Sequence, residues 1–315
     1  MEVDDIQRIG IVGAGLMGHG IALQFALGGY DVRLNDVSEE SLARALDNIK
    51  TTLATLKEMG LVEDSAANQV PERIRTDTSL EVTLSGVDFV VEAVFEDMSL
   101  KQTIFAELDR LSPDRTILSS NTSSFMSSQL APSTNRPGQV IVANWWNPPY
   151  LLPLIEIVRG PETSDHTIET TAGLFTKLGK RPVVLQKESL GFIGNRMQFA
   201  LLREAISIVE SGIASTEDVD LVVKSSFGRR LSVAGPFEVF DLAGWDTIAA
   251  IIGQLFPDLD TSRSTPALIE DLLKRGQLGV KSGHGFYPWN DESVAGIRQR
   301  VGQALASIEQ LSRNE

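Results

Sequence analysis

Ile6-Gln-Arg-Ile-Gly-Ile-Val12, then Gly13-Ala14-Gly15-Leu16-Met17-Gly18, then Ile21-Ala-Leu-Gln-Phe-Ala-Leu27 is the stretch on which the fold turns. A short apolar run ends in glycine, and apolar residues at helical spacing follow until Gly28-Gly29 stops them. This predicts strand, tight turn and helix. The middle hexamer fits G-x-G-x-x-G, in which glycines permit the turn and bring bare backbone to a pyrophosphate at a helix N-terminus. Tyr30 to Asn35 read as a second strand, and Asp36 at its end is placed to accept both hydroxyls of a ribose. A 2′-phosphate would meet that charge, and neither Val37 nor Ser38 supplies a welcoming arginine, so NAD is expected rather than NADP.

Outward from this unit, Ser38 is an expected N-cap for a long amphipathic helix with apolar positions Leu42, Ala45, Leu46, Ile49, Leu53 and Leu56. Strand-like runs recur at Val87 to Val94, Thr116 to Ser119, Val140 to Trp145, Leu154 to Val158 and Pro182 to Leu185. Helical patterns at Leu100 to Leu111 and Ile168 to Leu178 lie among them. The alternation predicts an α/β domain with a parallel sheet covered by helices. Beyond Gln186 the strand signal fades, and Phe192 to Glu210, Thr216 to Lys224, Phe237 to Ile252 and Thr265 to Arg275 read as helices, with a last one in Asp291 to Glu315. A boundary near Lys187 to Gly191 is expected, giving a cofactor domain over 1–187 and a helical domain over 188–315.

Composition narrows the chemistry. The chain of 315 residues has no cysteine, which removes disulfides, thiolate metal sites and a cysteine nucleophile together. Only three histidines, His19, His166 and His284, are available to any histidine-based mechanism, and each reads as structural or solvent-exposed. A net charge of −14 argues against nucleic acid as a partner. The apolar runs are too short for a membrane span, and no basic leader precedes Ile6, so a cytoplasmic protein with a small-molecule substrate and no metal is expected.

Five further segments carry a resemblance. Val91-Glu92-Ala93-Val94-Phe95-Glu96, Ser120-Asn121-Thr122-Ser123-Ser124, Asn147-Pro-Pro149, Gly191-Phe-Ile-Gly-Asn195-Arg196 and Lys281 to Tyr287, together with the glycine loop, resemble the 3-hydroxyacyl-CoA dehydrogenase family over nearly the whole chain. Asn147 to Glu156 and Arg230 to Pro236 are most similar to its lambda-crystallin/L-gulonate 3-dehydrogenase and carnitine dehydrogenase branch, which acts on free hydroxy acids. The resemblance implies an N-terminal Rossmann domain with a doubly wound, mostly parallel sheet, an all-α C-terminal domain that builds a homodimer, and an active site in the cleft between the domains. It implies cofactor contacts from Gly13, Ala14, Gly15, Leu16, Met17, Gly18, Asp36, Ala93, Glu96, Lys101, Asn121, Ser123 and Asn147. Ser123, Asn195 and Arg230 are implied at the substrate, Arg230 as a fork for a free carboxylate or, structurally, as the partner of an acid across an interface.

The resemblance also implies a catalytic set of Ser123, Asn144, Glu156 and Asn195, and here the chain departs from its family. Asn144 stands where the family has a histidine that takes the hydroxyl proton, and a carboxamide cannot do so near neutral pH. Three readings follow. The chain is a dehydrogenase of an L-3-hydroxy acid or L-3-hydroxyacyl-CoA impaired at Asn144, by engineering or divergence. Alternatively it reduces C=N bonds or dehydrogenates amines on the same fold, with Glu156 or a water handling protons. Otherwise it is a noncatalytic, crystallin-like NAD-binding protein. Around Thr51 to Val70, the end of the second helix and the loop after it, Lys50 and Lys57 are the only cations offered against Glu58, Glu63 and Asp64, which weakens the CoA reading. Trp145 and Trp146 either shape an apolar pocket or pack beneath the sheet.

Overall fold

The computed structural model describes residues 1–313. Its strands are β1 (Arg8–Val12), β2 (Asp31–Asn35), β3 (Ile74–Asp77), β4 (Phe89–Glu92), β5 (Ile117–Ser120), β6 (Val140–Trp145), β7 (Leu154–Val158) and β8 (Arg181–Leu185). The helices among them are α1 (Gly18–Leu27), α2 (Glu39–Glu58), α3 (Asp64–Arg73), α4 (Leu80–Leu84), α5 (Met98–Leu111), α6 (Ser127–Leu130) and α7 (Asp165–Lys177). After them come α8 (Gly194–Glu210), α9 (Thr216–Ser225), α10 (Phe227–Arg230), α11 (Pro236–Ala243), α12 (Trp245–Leu255), α13 (Ala267–Lys274) and α14 (Asp291–Arg313). No helix among the described residues is long and apolar enough to cross a membrane.

The strands form one sheet in the order β3-β2-β1-β4-β5-β6-β7-β8. Every pair is parallel except β6 and β7. This is the doubly wound order in which the chain reverses direction between β1 and β4, so a crevice opens at their carboxyl ends. Two apolar layers hold the sheet, and alternation along β6 shows why: Val140 and Val142 join Val90 and Leu118 on one face, while Ile141, Ala143 and Trp145 join Ile11 and Val91 on the other. A strand covered on both faces is apolar throughout, and all six residues of β6 are buried. Asn144 is the polar exception.

Local chemistry sets the element ends. Ser38 caps α2, its hydroxyl accepting from the Ser41 amide at 3.3 Å, and Leu42, Ala45, Ile49, Leu53 and Leu56 are buried. Each leucine and isoleucine among them contributes about 1.5–3 kcal/mol on burial, and Ala45 less. Leu46, assigned to the same face by its spacing, is exposed instead. The single helix expected over Phe237 to Ile252 is two, α11 and α12, because Gly244 adopts a left-handed φ of 86° that breaks the ladder. Among the elements that the sequence reading did not anticipate are α3, which holds Pro71 in its interior, the four-residue edge strand β3, and the short helices α4, α6 and α10.

The chain divides into two compact units. The first takes in Met1–Asn195 and the residues from Leu305 on; the second is Arg196–Ala304. The first unit runs past the compositional change at Lys187 to Gly191 because the amides of Ile193 and Gly194 are tied to Glu156 of β7. The end of α14 belongs to the first unit, where Gln310 donates to the Met59 carbonyl at 3.3 Å.

Candidate active site

A cavity of about 700 Å³ opens at the carboxyl ends of β1, β2, β4, β5 and β6. Gly13, Gly15, Leu16, Met17, Asp36, Ala93, Glu96, Asn121, Ser123, Asn144, Asn147 and Asn195 all line it, so most candidate residues meet in one place. The loop between β1 and α1 forms its floor. Gly13 has φ +100°, and a Cβ there would lie 2.5 Å from the Ala93 carbonyl oxygen, so only glycine lets this turn press against the end of β4. A Cβ on Gly15 would meet nothing within 4 Å, which leaves its backbone open to a ligand.

Asp36 follows β2 and accepts from the amides of Ala14 at 2.9 Å and Ser38 at 3.3 Å. Its carboxylate is thereby fixed at the rim beside the glycine loop, with lone pairs remaining for a diol. These features fit NAD: bare backbone at the start of a helix for the pyrophosphate and an oriented carboxylate for the ribose. His19, buried on α1, donates from Nδ1 to the Gly15 carbonyl at 2.8 Å and so stiffens the loop. His166 lies beside the chain's amino terminus at 3.3 Å, and His284 sits in a turn of the second unit between bridges to Gly279 and Pro288.

A second cluster backs the cavity. Lys101 is fully buried, 2.7 Å from Glu92 and 3.2 Å from Glu96. The primary partner is thus Glu92, which stands in the quoted motif but drew no role from the sequence. Glu92 is also fully buried and accepts from Lys101, from the Ser120 hydroxyl at 2.5 Å and from the Val94 amide at 2.8 Å. It therefore joins the ends of β4 and β5 to α5. Glu96 accepts from the Thr122 hydroxyl, and that hydroxyl in turn accepts from the amides of Ser124 and Phe125, which shapes the turn carrying Ser123.

The third cluster surrounds Glu156. Asn144 and Glu156 are directly opposed in the antiparallel β6–β7 pair, so their side chains share a face and the Asn144 Nδ2 donates to Glu156 Oε2 at 3.0 Å. Trp146 Nε1 donates to the same oxygen at 3.2 Å. The amides of Ile193 and Gly194 donate to Oε1 at 2.8 and 2.9 Å. A carboxylate offers about four lone-pair positions. All are taken, so Glu156 has none left for a substrate proton, contrary to the expectation that it stands in for the missing base. Trp145 packs into the core against Phe175, their centroids 5.3 Å apart, and together with Trp146 it also contributes to the cavity lining. Arg230 ends α10 and is exposed in the second unit.

Residues 8–189 match the 3-hydroxyacyl-CoA dehydrogenase NAD-binding domain, and residues 191–289 match the C-terminal domain of the same enzymes. The chain belongs to the 3-hydroxyacyl-CoA dehydrogenase family. It is 30% identical to a 5-formyl-3-hydroxy-2-methylpyridine 4-carboxylate 5-dehydrogenase from Mesorhizobium japonicum, over 97% of this chain and 98% of that one. It is 36% identical to a probable 3-hydroxybutyryl-CoA dehydrogenase of Bacillus subtilis over 92% and 99%, and 40% identical to lambda-crystallin of Oryctolagus cuniculus over 74% and 73%. A solved structure of the pyridine carboxylate enzyme, described as an NAD+-dependent dismutase, superposes with a TM-score of 0.91 over 97% of this chain and 98% of that one, at 30% identity. Membership makes the chain an oxidoreductase of the NAD-dependent dehydrogenases that act on hydroxy acids and acyl-CoA thioesters. The glycine loop, Asp36 and Asn144 line one cavity, with Glu156 paired to Asn144 behind it.

Proposed function

We propose that the chain moves a hydride between NAD and C3 of a short L-3-hydroxy acid or its CoA thioester, with Asn144 where the family keeps its proton-accepting histidine. The observation that carries this is the placement of Asn144, paired with Glu156 at 3.0 Å, in the same cavity as the glycine loop, Ser123 and Asn195. NAD, when bound, supplies the hydride acceptor or donor. Everything else is positioning. Asp36 and Glu96 take the ribose hydroxyls of the cofactor's two halves, with Lys101 holding Glu96 in place. Asn121, Asn147 and Ala93 form the wall on which the nicotinamide side rests. Ser123 and Asn195 hold the substituent on C3. Since neither Asn144 nor Glu156 has a site for a proton, alcohol oxidation depends on water for that step and runs slowly.

The second unit supports a homodimer. Among the described residues of 196–304, only Ile206 and Ile248 are buried large apolar side chains, while Phe237, Leu242 and Val233 are more than three-quarters exposed. A helical unit with so little internal core needs a cover, and a second copy provides one.

The test compares NAD+ reduction by the protein and by Asn144→His, with L-3-hydroxybutyrate and L-3-hydroxybutyryl-CoA as substrates. A gain of roughly 10²–10⁴-fold with histidine is expected of a restored general base. Binding of NAD with no turnover in either protein would show a noncatalytic NAD-binding protein instead.

A further inference from the structure

The Asn144 carboxamide has a fixed polarity. Glu156 only accepts hydrogen bonds, so the NH2 group must face it, as the 3.0 Å contact shows. The Oδ1 atom is left for the cavity that Asn144 lines, and no described side chain or amide donates to it. The site therefore offers a ligand a hydrogen-bond acceptor that never takes the proton.

The charge of the cavity points the same way. Its charged lining residues are Asp36 and Glu96, the latter paired with the buried Lys101 at 3.2 Å. At the Asn144 end the Glu156 carboxylate lies directly behind Asn144 and Trp146, and no Lys, Arg or His of the described residues lines the cavity. An oxyanion developing at the reacting carbon is disfavoured here, and a cation is favoured. An alcohol must give up its O–H proton to become a carbonyl. A secondary amine, once its ammonium form has given one proton to water, keeps its remaining N–H when it becomes an iminium ion, so one donor can rest on Asn144 Oδ1 before and after the hydride moves.

Resting on the NAD-dependent hydride-transfer reading above, and going beyond its hydroxy-acid substrate, we propose that the same site takes a second substrate class whose reacting group is nitrogen: an iminium carbon on the oxidised side and a secondary amine on the reduced side, with its N–H donated to Asn144 Oδ1. In the reducing direction the iminium carbon takes a hydride from NADH, the C=N π pair becomes the nitrogen lone pair, and NAD+ is released. One positive charge is present throughout and no proton passes to the protein. Asn144 is then a specificity-determining residue rather than a damaged base.

The probes are a matched pair, 3-(methylamino)butanoate and 3-hydroxybutyrate. Titrated calorimetrically into the NADH-saturated protein, where neither reacts, the amine is expected to bind at least about tenfold more tightly. It is also expected to reduce NAD+ faster than the hydroxy acid does. Asn144→Leu, which keeps the volume and removes the acceptor, brings the affinity ratio to about one, and Asn144→His moves it towards the hydroxy acid. Equal affinities in the unsubstituted protein, tighter binding of the hydroxy acid, or binding of neither overturns the proposal, whatever the variants do. Failure of NADH to bind, or absence of turnover with either probe in both the protein and Asn144→His, overturns the underlying hydride-transfer reading. Hydroxy-acid turnover by Asn144→His without an amine preference in the unsubstituted protein overturns the nitrogen assignment alone.

Discussion

Replacing Glu156 by Gln tests the core of the site with a change of one atom. Glu156 is 1% exposed and accepts four hydrogen bonds, two from backbone amides and two from side chains. In Glu156→Gln the amide oxygen keeps the Ile193 and Gly194 amides, now as neutral bonds, at a loss on the order of 1 kcal/mol each. The new NH2 group faces Asn144 and Trp146. Asn144 relieves its clash by turning the carboxamide half a revolution, so that Oδ1 accepts from Gln. Trp146 has only an N–H and no such escape, and a buried unpaired donor costs about 1–3 kcal/mol. The sum is a loss of roughly 3–5 kcal/mol. Urea unfolding followed by tryptophan fluorescence and circular dichroism measures it. A loss below about 1 kcal/mol would refute the four-donor account. The turned carboxamide also presents NH2 to the cavity, so the same variant should lose any preference for an amine ligand.

Asp36→Ala removes the carboxylate that fixes the glycine loop and faces the ribose, so NADH affinity is expected to fall about 10- to 100-fold while NADPH discrimination narrows, as fluorescence titrations would show. Burial holds Lys180 at about 8, below its usual 10.5. Between those values the unfolded chain binds a proton that the folded chain has released, so stability rises with pH across the window, by at most about 3 kcal/mol. Urea melts near pH 7 and near pH 10 should show this rise in the unsubstituted protein and its absence in Lys180→Met. Phe237→Asp places a charge on an apolar residue 78% exposed in the second unit. Light scattering is expected to show a shift from dimer to monomer, and an unchanged mass would place the interface elsewhere.

Most of the sheet was legible because its strands are apolar runs bounded by glycine and polar turns, and β6 and β7 keep the expected limits to the residue. The edge strand β3 was not, since one buried residue in four leaves no alternation to read. Gly244 was visible as a glycine, but only its backbone angle shows that it divides a helix.

The linear order of residues by itself determined the cofactor half of this protein. A turn that only glycine can make, followed by a helix and then a strand ending in Asp36, is a local pattern whose physics acts within a few dozen residues. It also marked Asn144 as chemically unlike a base, since that depends on the side chain alone. Tertiary structure decided what surrounds these groups. Glu92 becomes the hub of a buried cluster only because three elements converge on it, and Glu156 is saturated only because β6, β7 and the start of α8 bring four donors to one carboxylate. Which atom of Asn144 faces the cavity follows from that convergence, because the orientation of an amide is set by neighbours that are distant in sequence and adjacent only in the fold.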